Sequence, residues 1–139
     1  MKSSFLLLLL LFPLYSFAQQ DSEEPAYLIK SIYFGGGSAY IDQLQAQELK
    51  EWLESIPGIE HCNISIQSHT DNIGSMEYNE WLSQMRSRSV LQLLLNYRIP
   101  PDIISIKDFG EINPDFNNQT LNGRLNNRRV DVIIHRVLM

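Results

Sequence analysis

Apolar and polar residues change their period several times along this chain, and each change marks an element. Tyr27 to Phe34 alternates and is rich in β-branched and aromatic residues, predicting a first strand that ends at Gly35-Gly36-Gly37-Ser38. From Tyr40 to Ile56 the apolar residues Ile41, Leu44, Leu49, Trp52, Leu53 and Ile56 recur at helical spacing, and Pro57-Gly58 stops the pattern. Alternation returns through Cys62, Ile64 and Ile66, so Cys62 to Ser68 reads as a second strand. A loop through His69-Thr70-Asp71-Asn72-Ile73-Gly74 leads to Ser75, a helix N-cap residue type. The second helix runs to about Asn96, with Tyr78, Leu82, Met85, Val90, Leu93 and Leu94 assigned to its buried side. Ile99-Pro100-Pro101 separates it from a third strand, Ile103 to Phe109. An Asn- and Pro-rich loop, a short helix within Thr120 to Asn127 and a last strand, Val130 to Val137, complete the chain. The order βαβαβ(α)β implies an α+β two-layer sandwich, with helices packed on a mixed four-stranded sheet.

The N-terminus follows a different logic. Met1 and Lys2 precede an apolar run from Phe5 to Leu14, and Ser16-Phe17-Ala18 supplies a small-x-small ending. A basic head, a short apolar segment and such an ending form a secretory signal peptide, expected at residues 1–18 with cleavage after Ala18. The apolar run is shorter than the roughly 20 residues a bilayer-spanning helix needs, so no membrane span is expected after cleavage. Residues 19–27 then read as a short polar leader and 28–139 as one domain, exported to the periplasm, free there or associated with the outer membrane.

Composition narrows the function classes. The 139-residue chain carries a formal charge of −5, which becomes −6 when Lys2 is removed with the signal. A mildly acidic domain lacks the clustered basic surface that nucleic acid requires. The single cysteine, Cys62, excludes an intramolecular disulfide and, lying in a strand, reads as a small buried hydrophobe. Cys62 is also far from the cleavage point, where a lipoprotein would carry its lipid-bearing cysteine. His61, Cys62, His69 and His135 have no zinc-site spacing, and Gly35-Gly36-Gly37 lacks the lysine and hydroxyl of a phosphate loop, so neither metal nor cofactor is expected. His69, Asp71 and Ser83 invite comparison with a hydrolytic triad, but nothing resembles a nucleophile elbow, and no catalytic residue is assigned.

Three segments carry a family resemblance. Ser68-His69-Thr70-Asp71-Asn72-Ile73-Gly74, followed by Tyr78-Asn79-Glu80-Trp81-Leu82-Ser83-Gln84-Met85-Arg86-Ser87-Arg88-Ser89-Val90, resembles G-H-T-D-x-x-G then Y-N-x-x-L-S-x-x-R-A-x-x-V of the OmpA-like family. Phe109-Gly110-Glu111-Ile112-Asn113-Pro114 resembles its G-x-G-E-x-x-P turn, and Asn127-Arg128-Arg129-Val130 its closing N-R-R-V. The segments fall in the family's order and spacing, and the resemblance covers essentially everything from Leu28 to the C-terminus. The resemblance implies non-covalent binding of peptidoglycan through the diaminopimelate residue of its stem peptide, with Asp71 holding the ammonium and Arg86 the carboxylate. It departs from the family at Ser68 and Ser87, where glycine and alanine are usual, and at the triple glycine, where many relatives have an acidic, aromatic loop.

The residues fit that chemistry on their own terms. Asn79, Ser83 and Arg86 stand at i, i+4 and i+7, on one face of the second helix. Asp71 enters beneath the same helix, so its carboxylate and the Arg86 fork would converge on one groove. A zwitterionic amino-acid end needs one anion and one bidentate cation, and arginine suits carboxylate better than lysine. Asn79 would orient either partner, Leu82 would give an apolar wall, Thr70 lies in the matched segment, and Arg128 is preferred over Arg129 for closing the site. The ordinary alternatives are a turn-closing Asp71, a solvated Arg86 and a surface Asn79. A groove that no longer binds peptidoglycan would instead suit an adaptor between envelope proteins, such as one docking on an outer-membrane partner.

Overall fold

A computed structural model describes residues 27–136. The expected signal at 1–18, all of the leader but Tyr27, and Val137 lie outside the described residues. The elements are β1 (Tyr27–Tyr33), α1 (Gln43–Glu54), β2 (Cys62–His69), α2 (Met76–Asn96), β3 (Ile104–Gly110), α3 (Leu121–Asn127) and β4 (Arg129–Arg136). Single 3-10 turns at Ile59–His61 and Pro101–Ile103 lead into β2 and β3. The strands form one mixed four-stranded sheet in the order β1-β4-β2-β3, β4 antiparallel to both neighbours and β2 parallel to β3. This is the α+β sandwich expected from the element order.

Register decides which side chains meet the helices. Leu28, Lys30 and Ile32 of β1 lie opposite Ile134, Val132 and Val130 of β4, and these lie opposite Ile64, Ile66 and Ser68 of β2. With Leu49 and Leu53 of α1, Val90 and Leu94 of α2, and Ile56, Cys62 and Ile99, the apolar members of this face form the core. Cys62 is buried, as its strand position predicts. Each such aliphatic side chain contributes about 1.5–3 kcal/mol by leaving water.

Two departures from the apolar pattern have local causes. The first helix begins at Gln43 rather than Tyr40, because the Asp42 carboxylate accepts the Gln45 N–H at 2.9 Å and caps it there. The Gln45 side chain is in turn bonded to the backbone of Tyr33, accepting from its N–H at 2.8 Å and donating to its carbonyl at 3.0 Å. Tyr40 and Leu44, which extended the pattern, are exposed. The second departure lies in α2. Ser75 caps it as expected, its hydroxyl accepting the Tyr78 N–H at 3.1 Å. However, the buried stripe reads Asn79, Leu82, Ser83, Arg86, Ser87, Val90, Leu94, while Tyr78 is exposed and Met85 and Leu93 are half-buried. Only the C-terminal half of α2 packs on the apolar core; its N-terminal half packs on polar strand ends and loops. Among the described residues no helix is long and apolar enough to cross a membrane.

Candidate functional site

The candidate site forms where β2 and β3 end beneath the start of α2. Ser68 pairs with Asp108, but His69 pairs with Gly110, so β3 carries one extra residue and bends. Gly110 is left-handed at φ 56°, and a side chain there would come 3.3 Å from the Glu80 nitrogen, so glycine lets the strand end approach α2. The Thr70 N–H then donates to the Gly110 carbonyl at 2.7 Å, tying the two strand exits together. Asp71 follows, 6% exposed. One of its oxygens accepts the Ile73 N–H at 3.2 Å, closing a turn, and the other accepts Nε of Arg128 at 2.6 Å. Arg128 caps the end of α3, its carbonyl accepts the Phe34 N–H at 2.8 Å, and its guanidinium lies alongside Gly36.

Arg86 is fully buried and is not a solvated helix residue. Its Nε donates to the Ser38 carbonyl at 2.9 Å, one terminal nitrogen to the His69 carbonyl at 3.1 Å and the other to the Gly35 carbonyl at 3.0 Å. The guanidinium also lies over the Phe34 ring, 5.1 Å from its centre. Burial pulls its pKa down to about 10, opposed by the Asp71 carboxylate and reinforced by Arg128, so it stays charged at neutral pH. Asp71 therefore acts on Arg86 through space, while its hydrogen bonds go to Ile73 and Arg128. The triple-glycine loop is held rather than slack. Ser38 N–H donates to the Gly35 carbonyl at 3.2 Å, Gly37 is left-handed at φ 65°, and Arg86 fastens both ends.

Asn79 is also fully buried; its Nδ2 donates to Glu111 at 2.7 Å. Its Oδ1, together with the hydroxyls of Thr70 and Ser68, finds no hydrogen-bond partner among the described residues. Buried polar atoms are normally satisfied, so each of these three oxygens is open to a ligand group or water. Leu82 is buried under α2. Ser83 donates to the Glu80 carbonyl at 2.9 Å, and the His69 ring lies on the opposite face of the sheet, so the two form no triad with Asp71.

That opposite face holds a second polar cluster. The His69 ring stacks on Phe109 with centres 5.1 Å apart and stands 3.8 Å from Asp131. Asp131 accepts from Ser31 at 2.6 Å and from Nε of Arg129 at 3.0 and 3.1 Å, and Arg129 also donates to Asp115. Ligand atoms of His69, Asp115 and Asp131 lie close enough to share a cation, but the Arg129 guanidinium already pairs with both carboxylates. Burial, then the Arg129 charge, lowers the His69 pKa, with Asp131 and Asp115 opposing.

Of the expected site residues, Asp71 and Arg128 are in contact, Arg86 feels the Asp71 charge, and Asn79, Thr70 and Leu82 are buried. Phe34 packs on Arg86, whereas Tyr33, one residue earlier, points to the other face opposite Arg129. Sequence reasoning missed the Gly35 and Ser38 carbonyls, which no side-chain pattern announces, and the Asn79–Glu111 bond, for which the Gly110-Glu111 turn motif was the available signal.

Comparison with known proteins agrees with this architecture. A model of the OmpA family matches residues 33–128. The chain is 31% identical over 131 residues to outer membrane protein A of Bordetella avium, a match covering 84% of this chain and 63% of that protein. It is 29% identical over 104 residues to peptidoglycan-binding protein ArfA of Mycobacterium tuberculosis, covering 75% of this chain and 32% of that one. The peptidoglycan-associated lipoprotein from Burkholderia pseudomallei superposes with a TM-score of 0.65 at 26% identity, over 76% of this chain and 90% of that structure. The chain thus spans less than two thirds of the length of the Bordetella and mycobacterial relatives. With the family model matching well over half of its length, the chain belongs to the OmpA family.

Proposed function

We propose that this domain binds peptidoglycan non-covalently in the cell envelope after export to the periplasm, gripping the diaminopimelate residue of the stem peptide. The observation that carries the reading is the opposition of a desolvated carboxylate, Asp71, to a desolvated guanidinium, Arg86, beside the unpaired Asn79, Thr70 and Ser68 oxygens. In this reading the ligand ammonium joins or displaces Arg128 on Asp71. Arg86 uses three of its five N–H groups on backbone carbonyls, leaving two for the ligand carboxylate. Family membership and similarity to a mycobacterial peptidoglycan-binding protein support the ligand class.

The adaptor reading has one observation in its favour: Asp71 and Arg86 already have partners within the chain. Co-pelleting with purified insoluble peptidoglycan separates the two. Wild type should pellet, and Asp71→Asn and Asn79→Ala, checked for folding by circular dichroism, should lose binding, about a hundredfold for Asp71→Asn. A wild-type protein that stays in the supernatant refutes the wall reading and leaves the adaptor.

A further inference from the structure

The first two turns of α2 place Tyr78 and Trp81 side by side on the outer surface, 42% and 52% exposed, with ring centres 5.7 Å apart and planes inclined by 34°. Single exposed aromatics are ordinary, but this pair is continuous with the groove. The Tyr78 hydroxyl lies 3.2 Å from where a Gly37 side chain would begin, and its ring 3.0 Å from the corresponding point at Gly74, so Tyr78 forms the rim on the α2 side. From Trp81 the same helix face continues through Met85 to Arg88, at i+4 and i+7. There Met85 and Arg88, with Tyr40, Ile41 and Leu93, line an open, largely apolar groove of about 420 Å³.

We propose that Tyr78 and Trp81 form a subsite for a pyranose ring of the glycan strand that carries the stem peptide; this rests on the peptidoglycan reading above. A sugar ring presents a flat face of polarised C–H groups, which packs on the electron-rich face of an aromatic ring while its hydroxyls stay in water. Geometry restricts the position further. The stem peptide is attached to an amino sugar, and its diamino residue lies a few residues along, roughly 10 Å when extended. Tyr78 bridges the Gly37 edge of the groove to Trp81, so a ligand held at Asp71 and Arg86 delivers its sugar onto this pair. The division of labour follows from the chemistry: the charged groove selects the peptide, and the aromatic pair adds affinity for the intact wall polymer.

Two soluble ligands with the same stem peptide, one bearing its disaccharide and one without sugar, test this by calorimetric titration. Wild type should bind the disaccharide form about tenfold more tightly. Trp81→Ala should abolish that difference while leaving the affinity for the sugar-free peptide intact, and Trp81→Phe should restore part of it. Asp71→Asn should weaken both ligands. In a Trp52→Phe background, Trp81 fluorescence should change with the disaccharide ligand only. Equal wild-type affinity for both ligands, or a Trp81→Ala variant that loses both alike, overturns the subsite without touching the peptide groove. Failure of wild type to bind either ligand refutes the peptidoglycan reading, and the subsite with it.

Discussion

Arg86→Met should cost the domain about 2–4 kcal/mol of stability, and the figure follows from competing terms. Arg86 donates to three backbone carbonyls from three separate segments, Gly35, Ser38 and His69. A hydrogen bond from a charged donor contributes about 1.5–3 kcal/mol net, so their loss alone would cost roughly 5–9 kcal/mol. Two effects offset this. Burying the guanidinium is unfavourable, and the fall of its pKa from 12.5 to about 10 corresponds to roughly 3 kcal/mol that methionine does not incur. Gly35 is exposed and Ser38 half-exposed, so water can reach their carbonyls, whereas the buried His69 carbonyl stays dry. Urea titration followed by far-ultraviolet circular dichroism should show a lower midpoint with an unchanged slope. Arg86→Lys should fall between the two, since one ammonium cannot span three carbonyls. Hydrogen exchange at the Ser38 amide, bonded to the Gly35 carbonyl, should accelerate in Arg86→Met beyond the global effect. A loss of less than about 1 kcal/mol, with Ser38 exchange unchanged, would refute the view that Arg86 organises the loop.

Three further outcomes are expected. Gly123→Ala should destabilise by about 3 kcal/mol or more, because its Cβ would meet the Asn117 carbonyl at 1.8 Å; a melting temperature near wild type would contradict the packing of α3 on that loop. Gly37→Ala should cost about 1 kcal/mol or more, because its backbone is left-handed, whereas Gly36→Ala should be tolerated, its Cβ meeting Arg128 at an ordinary 3.5 Å; denaturant midpoints compare the two. His69 has a folded-state pKa below its usual 6.5, so the unfolded chain binds the extra proton first. Its share of stability is complete above about pH 6.5 and is lost as pH falls from there toward the folded value, at up to about 1.4 kcal/mol per pH unit. Thermal melts between pH 5 and 7.5 should show a shallower decline for His69→Gln, and parallel curves would argue against it.

The strands were legible because Ile64 and Ile66 alternate with polar residues, and Val130, Val132 and Ile134 keep the same two-residue period, and all five bury on one face. The end of α2 was legible for the same reason, at Val90 and Leu94. The buried face at the start of α2 was not, because hydrophobicity is the wrong guide where a buried stripe is Asn79, Ser83, Arg86 and Ser87, each making specific hydrogen bonds. Spacing put Asn79, Ser83 and Arg86 on one helix face, yet gave no sign that this face is internal. Asp42 was overlooked as a cap because Tyr40 and Ile41 prolonged the apolar rhythm across it. The Asp71–Arg128 pair joins residues 57 positions apart, a separation at which one sequence carries no signal of contact.

The sheet order also has a kinetic side. Because β4 lies between β1 and β2, the first strand has no neighbour in the sheet until the last one arrives, and Ser31 meets Asp131 across 100 residues. Such long-range pairing forms late, since the chain must close a large loop before any bond rewards it. A chain emerging N-terminus first therefore keeps Ile32 exposed, and β2 open along one edge, until Arg129–Arg136 is available. The Asp71–Arg128 contact likewise needs the last stretch of the chain, so a nascent chain that stops before Arg128 cannot complete the groove.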